Sequence, residues 1–216
     1  APRVTPRPYI HGDEGFYILT LLFEGGVTME TKPREMVEFK QNTGGRFRWV
    51  AITALLLAIG AILHLISPSI GGITPNWTTA MYCIAIGLTR PSLGQAAGIG
   101  LVAGALNIPT SKAPFPYANL ASELVGAVVC AMMVNASLNF TLGRINVRPA
   151  VIAAVSTTAS GLVFITITKV VLALPMSVYI YALLPVVFTS AAANAVVTHL
   201  LYFPAQKLFA AKGDNT

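Results

Sequence analysis

The sequence predicts an all-α, polytopic membrane protein: a bundle of six transmembrane helices with both termini cytoplasmic. Three observations carry this reading. Of the 216 residues, 55% are hydrophobic and only 10% charged, whereas a soluble domain needs about a quarter of its residues charged. From residue 49 onward the apolar residues gather into six segments separated by breakers and polar turns. The basic residues collect at one end of those segments, which is the pattern of a membrane-topology signal.

The elements follow in order. Helix 1 is expected over about Trp49–Ile66. The stretch SPSIGGITPNWTTAMYCIAIGLTR, Ser67 to Arg90, begins with the breakers Pro68, Gly71, Gly72 and Pro75 and ends as a lipid-facing helix 2, about Trp77–Thr89. Helix 3 is about Pro91–Ile108, helix 4 about Tyr117–Leu138, helix 5 about Pro149–Leu174 and helix 6 about Ser177–Phe203. A spanning helix needs roughly 20 residues, so helices 2 and 3 are expected to tilt or to cross with help from neighbours. Helix 3 carries Gly94, Gly98, Gly100 and Gly104, two small-xxx-small pairs that allow close helix contact.

Charge orients the bundle. Lys40, Arg46, Arg48, Arg90, Arg144, Arg148, Lys207 and Lys212 fall on one side, and only Lys112 on the other. Positive loops stay in the cytoplasm. The net charge of +6 is thereby used up as a topology signal, and no nucleic-acid partner is expected. Cys83 and Cys130 both fall inside apolar segments and read as small buried hydrophobes, with neither disulfide nor metal spacing.

The chain divides into an N-terminal extension, residues 1–40, and a membrane domain, residues 41–216. Phe16–Phe23 is apolar but too short to span. Glu24-Gly25-Gly26 before Val27-Thr28-Met29 is what a purine-rich ribosome-binding site looks like when translated in frame. Synthesis is therefore expected to begin at Met29 or Met36, with residues 1–28 as read-through; a genuine soluble tail is the alternative. No function is assigned to it.

Ionisable residues within a bilayer are costly and therefore informative. The segments hold two charged ones, Glu123 and Lys169. Counting from Tyr117 and from Pro175, each lies about 9 Å below the outer face. One reading is a structural ion pair between helices 4 and 5, with Lys169 snorkelling outward. The other is a site for a zwitterion, with Glu123 receiving an ammonium and Lys169 or Lys112 a carboxylate. His64, Asn76, Asn107 and Asn119 converge on the same leaflet, although Asn76 and Asn119 also suit helix caps. Asn135, Asn194 and His199 read as interhelical contacts. Trp77, Phe115, Tyr117, Tyr179 and Tyr181 suit an interfacial belt, or a flat wall for an aromatic ligand where they turn inward. The loop Asn107–Pro116, stiffened by Pro109, Pro114 and Pro116, is long enough to fold over a pocket. No Walker, GxSxG, HExxH or Cys/His motif is present, so neither an enzyme nor a cofactor is expected, and any ATP coupling belongs to partners.

Six spans with both termini inside, and an AxxxA strip on helix 1 (Ala54, Ala58), resemble the substrate-binding S components of energy-coupling-factor transporters. More narrowly, AIGAILHLISP (Ala58–Pro68), GGITPNWTTAMYCIAIGL (Gly71–Leu88) and GLVAGALNIPTSKAPFPYANLASELVGA (Gly100–Ala127) resemble the bacterial tryptophan-transporter family. The resemblance covers Trp49–Leu138 well and helices 5 and 6 only in general character. It implies outer-face capture of a tryptophan-like substrate by His64, Asn76, Trp77, Asn107, Lys112, Asn119 and Glu123; Lys169 enters by depth alone. It also implies docking of Ala54 and Ala58 on a membrane coupling subunit served by two cytoplasmic ATPases, in the plasma membrane of a bacterium. Two rivals remain: an S component for a vitamin or modified base, and a non-transporting membrane adaptor in which Glu123 and Lys169 merely pair.

Overall fold

A computed structural model of the protein describes residues 47–67, 76–136, 140–142 and 145–210. The expected N-terminal extension, residues 1–40, lies outside the described residues, as do the breakers Pro68, Gly71, Gly72 and Pro75 and the cations Lys40, Arg46, Arg144 and Lys212. All described elements fall in one unit, Asn42–Thr216.

The described chain is almost entirely helical. α1 is Arg48–Ile66, α2 Trp77–Thr89, α3 Leu93–Thr110, α4 Ala118–Asn135 and α5 Arg148–Val171. α6 runs from Met176 to Ala210 as Met176–Val178, a π-helical turn at Tyr179–Leu183, and Leu184–Ala210. The one departure from an all-α chain is a two-residue antiparallel ladder between α4 and α5. It pairs β1 (Thr141–Leu142) with β2 (Ile145–Asn146), in the register Thr141 to Asn146 and Leu142 to Ile145. α1, α4, α5 and α6 are long and apolar enough to cross a membrane.

α2 is not lipid-facing. Every residue from Thr78 to Ile86 is buried, and the helix packs on α1, α4, α5 and α6. Its 13 residues rise only about 20 Å, which an inner helix tolerates because protein surrounds it. An apolar run facing lipid and one facing protein look alike in composition, hence the misplacement. α6 also outruns its expected end. Pro204 removes one backbone donor, yet the helix continues because Ala205 and Phe209 pack on the cluster of Ile52, Leu56, Met81 and Ile84.

Ends are fixed locally. Arg90 closes α2 in the left-handed region at φ 46, and Ser92 then opens α3 with a reciprocal capping box to Gln95. At the opposite end, the loops after α1 and α3 are joined by Lys112 Nζ donating to the Ser67 carbonyl at 3.3 Å.

The α3–α4 contact sets the geometry of everything that follows. A methyl group added at Gly100 would come within 2.6 Å of the Glu123 carbonyl and Leu124 Cα; at Gly104, within 2.7 Å of the Asn119 carbonyl and Leu120 Cα. The two backbones touch along this pair. The other small pair does not do this work, since Gly94 and Gly98 have nothing within 4 Å. Gly104→Ala is therefore expected to destabilise the bundle by about 1–3 kcal/mol, as overpacking does. Gly94→Ala should stay within about 0.5 kcal/mol of the parent. Thermal unfolding of the two purified variants in detergent checks the contrast.

Candidate functional site

A cavity of about 440 Å³ opens at the end of the bundle where the loops after α1 and α3 meet. Its floor is the Glu123 carboxylate, only 1% exposed. Glu123 is also the sole acidic residue between Glu38 and Asp214.

Three neutral side chains hold that carboxylate. Asn76 Nδ2 donates to Oε1 at 2.5 Å and Asn107 Nδ2 at 3.1 Å. The Thr79 hydroxyl donates to Oε2 at 3.1 Å and approaches Oε1 at 3.3 Å. Asn76 uses both ends of one amide: its Oδ1 accepts from the Thr79 backbone N–H at 3.3 Å, capping α2, while its nitrogen reaches Glu123. Asn107 lies one turn beyond Gly104 on α3, so the close α3–α4 contact carries it to the acid. Its Oδ1 is buried and has no partner among the described residues.

Cation, rim and walls complete the cavity. Lys112 lines the mouth from the α3–α4 loop. His64 lines it from the last turn of α1. Asn119 also lines it, and its Nδ2 donates to the Pro116 carbonyl at 2.8 Å, pinning the loop to α4. Opposite the acid, α5 and α6 supply an apolar wall of Phe164, Ile165, Leu183, Val186 and Val187.

Six of the eight sequence candidates thus meet at one cavity: His64, Asn76, Asn107, Lys112, Asn119 and Glu123. Trp77 does not line it. Its indole N–H donates to the Ser67 hydroxyl at 2.7 Å, and its ring packs on the Ile52, Leu56 and Met81 cluster, so it braces the lip from behind. Lys169 does not join it either, and the hydrogen-bond partners of Glu123 are Asn76, Thr79 and Asn107. The Ser156 hydroxyl donates to the Gly126 carbonyl at 2.7 Å, which fixes the register of α5 against α4. Glu123 is three residues from Gly126 and Lys169 thirteen from Ser156, so the lysine lies about 15 Å further along the axis. Equal depth was the wrong expectation because α5 overshoots the start of α4.

The belt aromatics stay outside as well. Tyr117 and Tyr181 are exposed, Tyr179 meets the Thr166 hydroxyl at 3.2 Å, and the aromatic ring in the cavity wall is Phe164. The residues that sequence reading missed are mostly small alcohols: Thr79, Ser122, Thr157, Ser160 and Ser190. Ser156-Thr157-Thr158-Ala159-Ser160 carried the available signal, a run of hydroxyls inside a span. Asn194, expected as an interhelical contact, donates to the Thr157 hydroxyl at 3.2 Å.

Long apolar helices packed around a polar, acid-floored cavity define the class: a multi-pass membrane protein with a site of small-molecule size. The family model described as Tryptophan transporter TrpP matches residues 46–210. The chain belongs to that family, whose place is the bacterial cell membrane. A "Probable tryptophan transport protein" of Clostridium perfringens (strain 13 / Type A) is 29% identical over 170 residues, covering 74% of this chain and 92% of the relative. A protein of the same description from Bacillus subtilis (strain 168) is 30% identical over 127 residues, covering 58% of this chain and 72% of the relative. No solved structure matches the chain significantly.

The bonding pattern makes one substitution unusually clean. In Glu123→Gln the amide oxygen keeps both asparagine donors, and the amide nitrogen donates to the Thr79 hydroxyl, which turns to accept. Removing a buried charge whose partners among the described residues are all neutral is expected to be neutral or stabilising. Without ligand, this variant should melt at or above the parent; a large loss of stability would mean that the carboxylate is a structural element.

Proposed function

We propose that this protein captures tryptophan at the outer face of the bacterial membrane and acts as the substrate-binding subunit of an uptake system. In this reading its six helices cross the bilayer with both termini in the cytoplasm, α2 and α3 doing so in the shelter of their neighbours. The observation that carries the proposal is a single buried acid, held by neutral donors, in an open cavity that Lys112 also lines. Among the described residues that carboxylate has no cationic partner, and an incoming ammonium supplies one.

The charges are arranged for a zwitterion. The ammonium goes to Glu123, with the unpartnered Asn107 Oδ1 as a second acceptor. The carboxylate stays near the mouth with Lys112. The indole lies against Phe164 and the aliphatic side chains of α6, and the buried alcohols offer acceptors for its N–H. A volume of about 440 Å³ lies within the ~300–1,000 Å³ usual for small-molecule pockets. The family description and both relatives' names support tryptophan as the guest.

Release inward requires energy from elsewhere. Ala54 and Ala58 form a small-residue strip on α1 that is exposed, beside the exposed Leu55, Ile59 and Ile62. This strip suits close packing against another membrane helix. We assign it to a coupling subunit, driven by two cytoplasmic ATPases, in the manner of an energy-coupling-factor S component.

Two measurements separate these claims. Calorimetric titration of tryptophan into Glu123→Gln should show at least a tenfold loss of affinity, since a charge-assisted bond is worth about 1.5–3 kcal/mol. A change within about threefold would make the acid structural and favour the adaptor reading. Ala58→Leu should bind tryptophan normally yet fail in cellular uptake. Uptake at the parent rate would remove the strip from the mechanism and leave the cavity untouched.

A further inference from the structure

The end of the bundle opposite Glu123 holds a second cavity of about 150 Å³, framed by the end of α2, the start of α5 and the last third of α6. Two guanidinium groups line it, Arg90 and Arg148, together with Thr198, Tyr202 and Gln206. Arg148 is anchored by its Nη2, which donates to the Val134 carbonyl at 2.8 Å. Its Nε is buried and has no acceptor among the described residues. The Thr198 hydroxyl, in a residue 1% exposed, likewise has no partner among them. Buried donors left unmade are costly, and here two of them belong to one cavity with two positive charges. No acid of the described bundle reaches this end, because Glu123 is the only one and lies at the other.

What would satisfy this set is an anion with several acceptor oxygens and little bulk. Phosphate matches guanidinium geometry and accepts from a hydroxyl at the same time. The volume is about a third of that of the Glu123 cavity, which suits a small polyatomic anion such as phosphate.

A groove continues from the cavity. It shares Gly87, Arg90, Tyr202 and Gln206, and the rest of its wall mixes Arg48 and Thr89 with Trp49, Ile52, Leu88 and Phe209. The groove lies where α1 and α6, both packed on α2, come together, with the Arg48 guanidinium donating to the Phe209 carbonyl. Cavity and groove together set arginines beside the apolar side chains of Trp49, Ile52, Leu88 and Phe209, which matches a phosphate carried on an amphipathic molecule. We propose that they bind an anionic phospholipid, its phosphate between Arg90 and Arg148 and its chain along the groove. The charge bias reads this end as cytoplasmic, where the leaflet is anionic.

The test uses the full-length purified protein in a neutral detergent. Its unfolding midpoint is titrated with short-chain phosphatidylglycerol, with phosphatidylcholine of the same chain length, and with inorganic phosphate. Saturable stabilisation by phosphatidylglycerol, well beyond that by the other two, supports the assignment. Equal effects of the two lipids overturn it, and stabilisation by inorganic phosphate matching phosphatidylglycerol replaces the lipid with a free anion. Arg148→Gln also loses the Val134 contact, so Arg90→Gln, at an exposed position, is the deciding variant. It should need about fivefold more phosphatidylglycerol for the half-maximal effect, with tryptophan affinity unchanged. An unshifted lipid response, or a parallel loss of tryptophan affinity, overturns the proposal. Neither result bears on the Glu123 site.

Discussion

A carboxylate buried in a membrane bundle constrains everything packed around it. Glu123 has no cation among its partners; three neutral groups, Asn76, Thr79 and Asn107, hold its oxygens. Each of those groups requires a particular piece of the fold. Asn76 and Thr79 arrive together because one caps the helix that the other begins. Asn107 arrives because Gly100 and Gly104 let α3 lie backbone to backbone on α4. The central placement of α2 follows from the same demand, since only an inner helix can present its first turn to an acid in the core.

Neutral donors orient an anion without neutralising it. They leave the acid placed but electrically incomplete, and removing an ion from water costs several kcal/mol even after relaxation. A protein selected only for stability would carry Gln or Leu there. In the proposed function, retaining the acid beside an open cavity reserves the countercharge for a guest. On the same proposal, Lys112, tied to Ser67 across the two loops, would give the guest a direction: positive end inward, negative end outward. The two ends of the molecule then have opposite electrical characters. Among the described residues, one is floored by a lone acid, and the other is lined by arginines with no acid beside them.

Much of this was legible in the residues. Helix count, order and most boundaries follow from apolar run length, and six cavity residues follow from polar groups counted down from helix ends. What failed was angular and axial register. Depth measured from the ends of helices 4 and 5 put Lys169 beside Glu123, but α5 extends well beyond the start of α4, and only the Ser156–Gly126 contact reveals the offset. Trp77 entered the pocket candidates through the family resemblance, while its indole N–H donates to Ser67. The apolar wall from α5 and α6 left little trace because Phe, Ile, Leu and Val occur on every face of a spanning helix. The same ambiguity hid α2 in the core, where its apolar face meets protein on all sides.

The central claim is that Glu123 receives the ammonium of the guest. Its most direct test is the affinity of the purified protein for two halves of tryptophan, tryptamine and indole-3-propionate. The first keeps the ammonium and loses the carboxylate; the second does the reverse. If the acid on the cavity floor is the main polar anchor, tryptamine binds measurably and indole-3-propionate far more weakly, and the preference disappears in Glu123→Gln. Tighter binding of indole-3-propionate, or a preference for tryptamine that survives the substitution, would contradict the account.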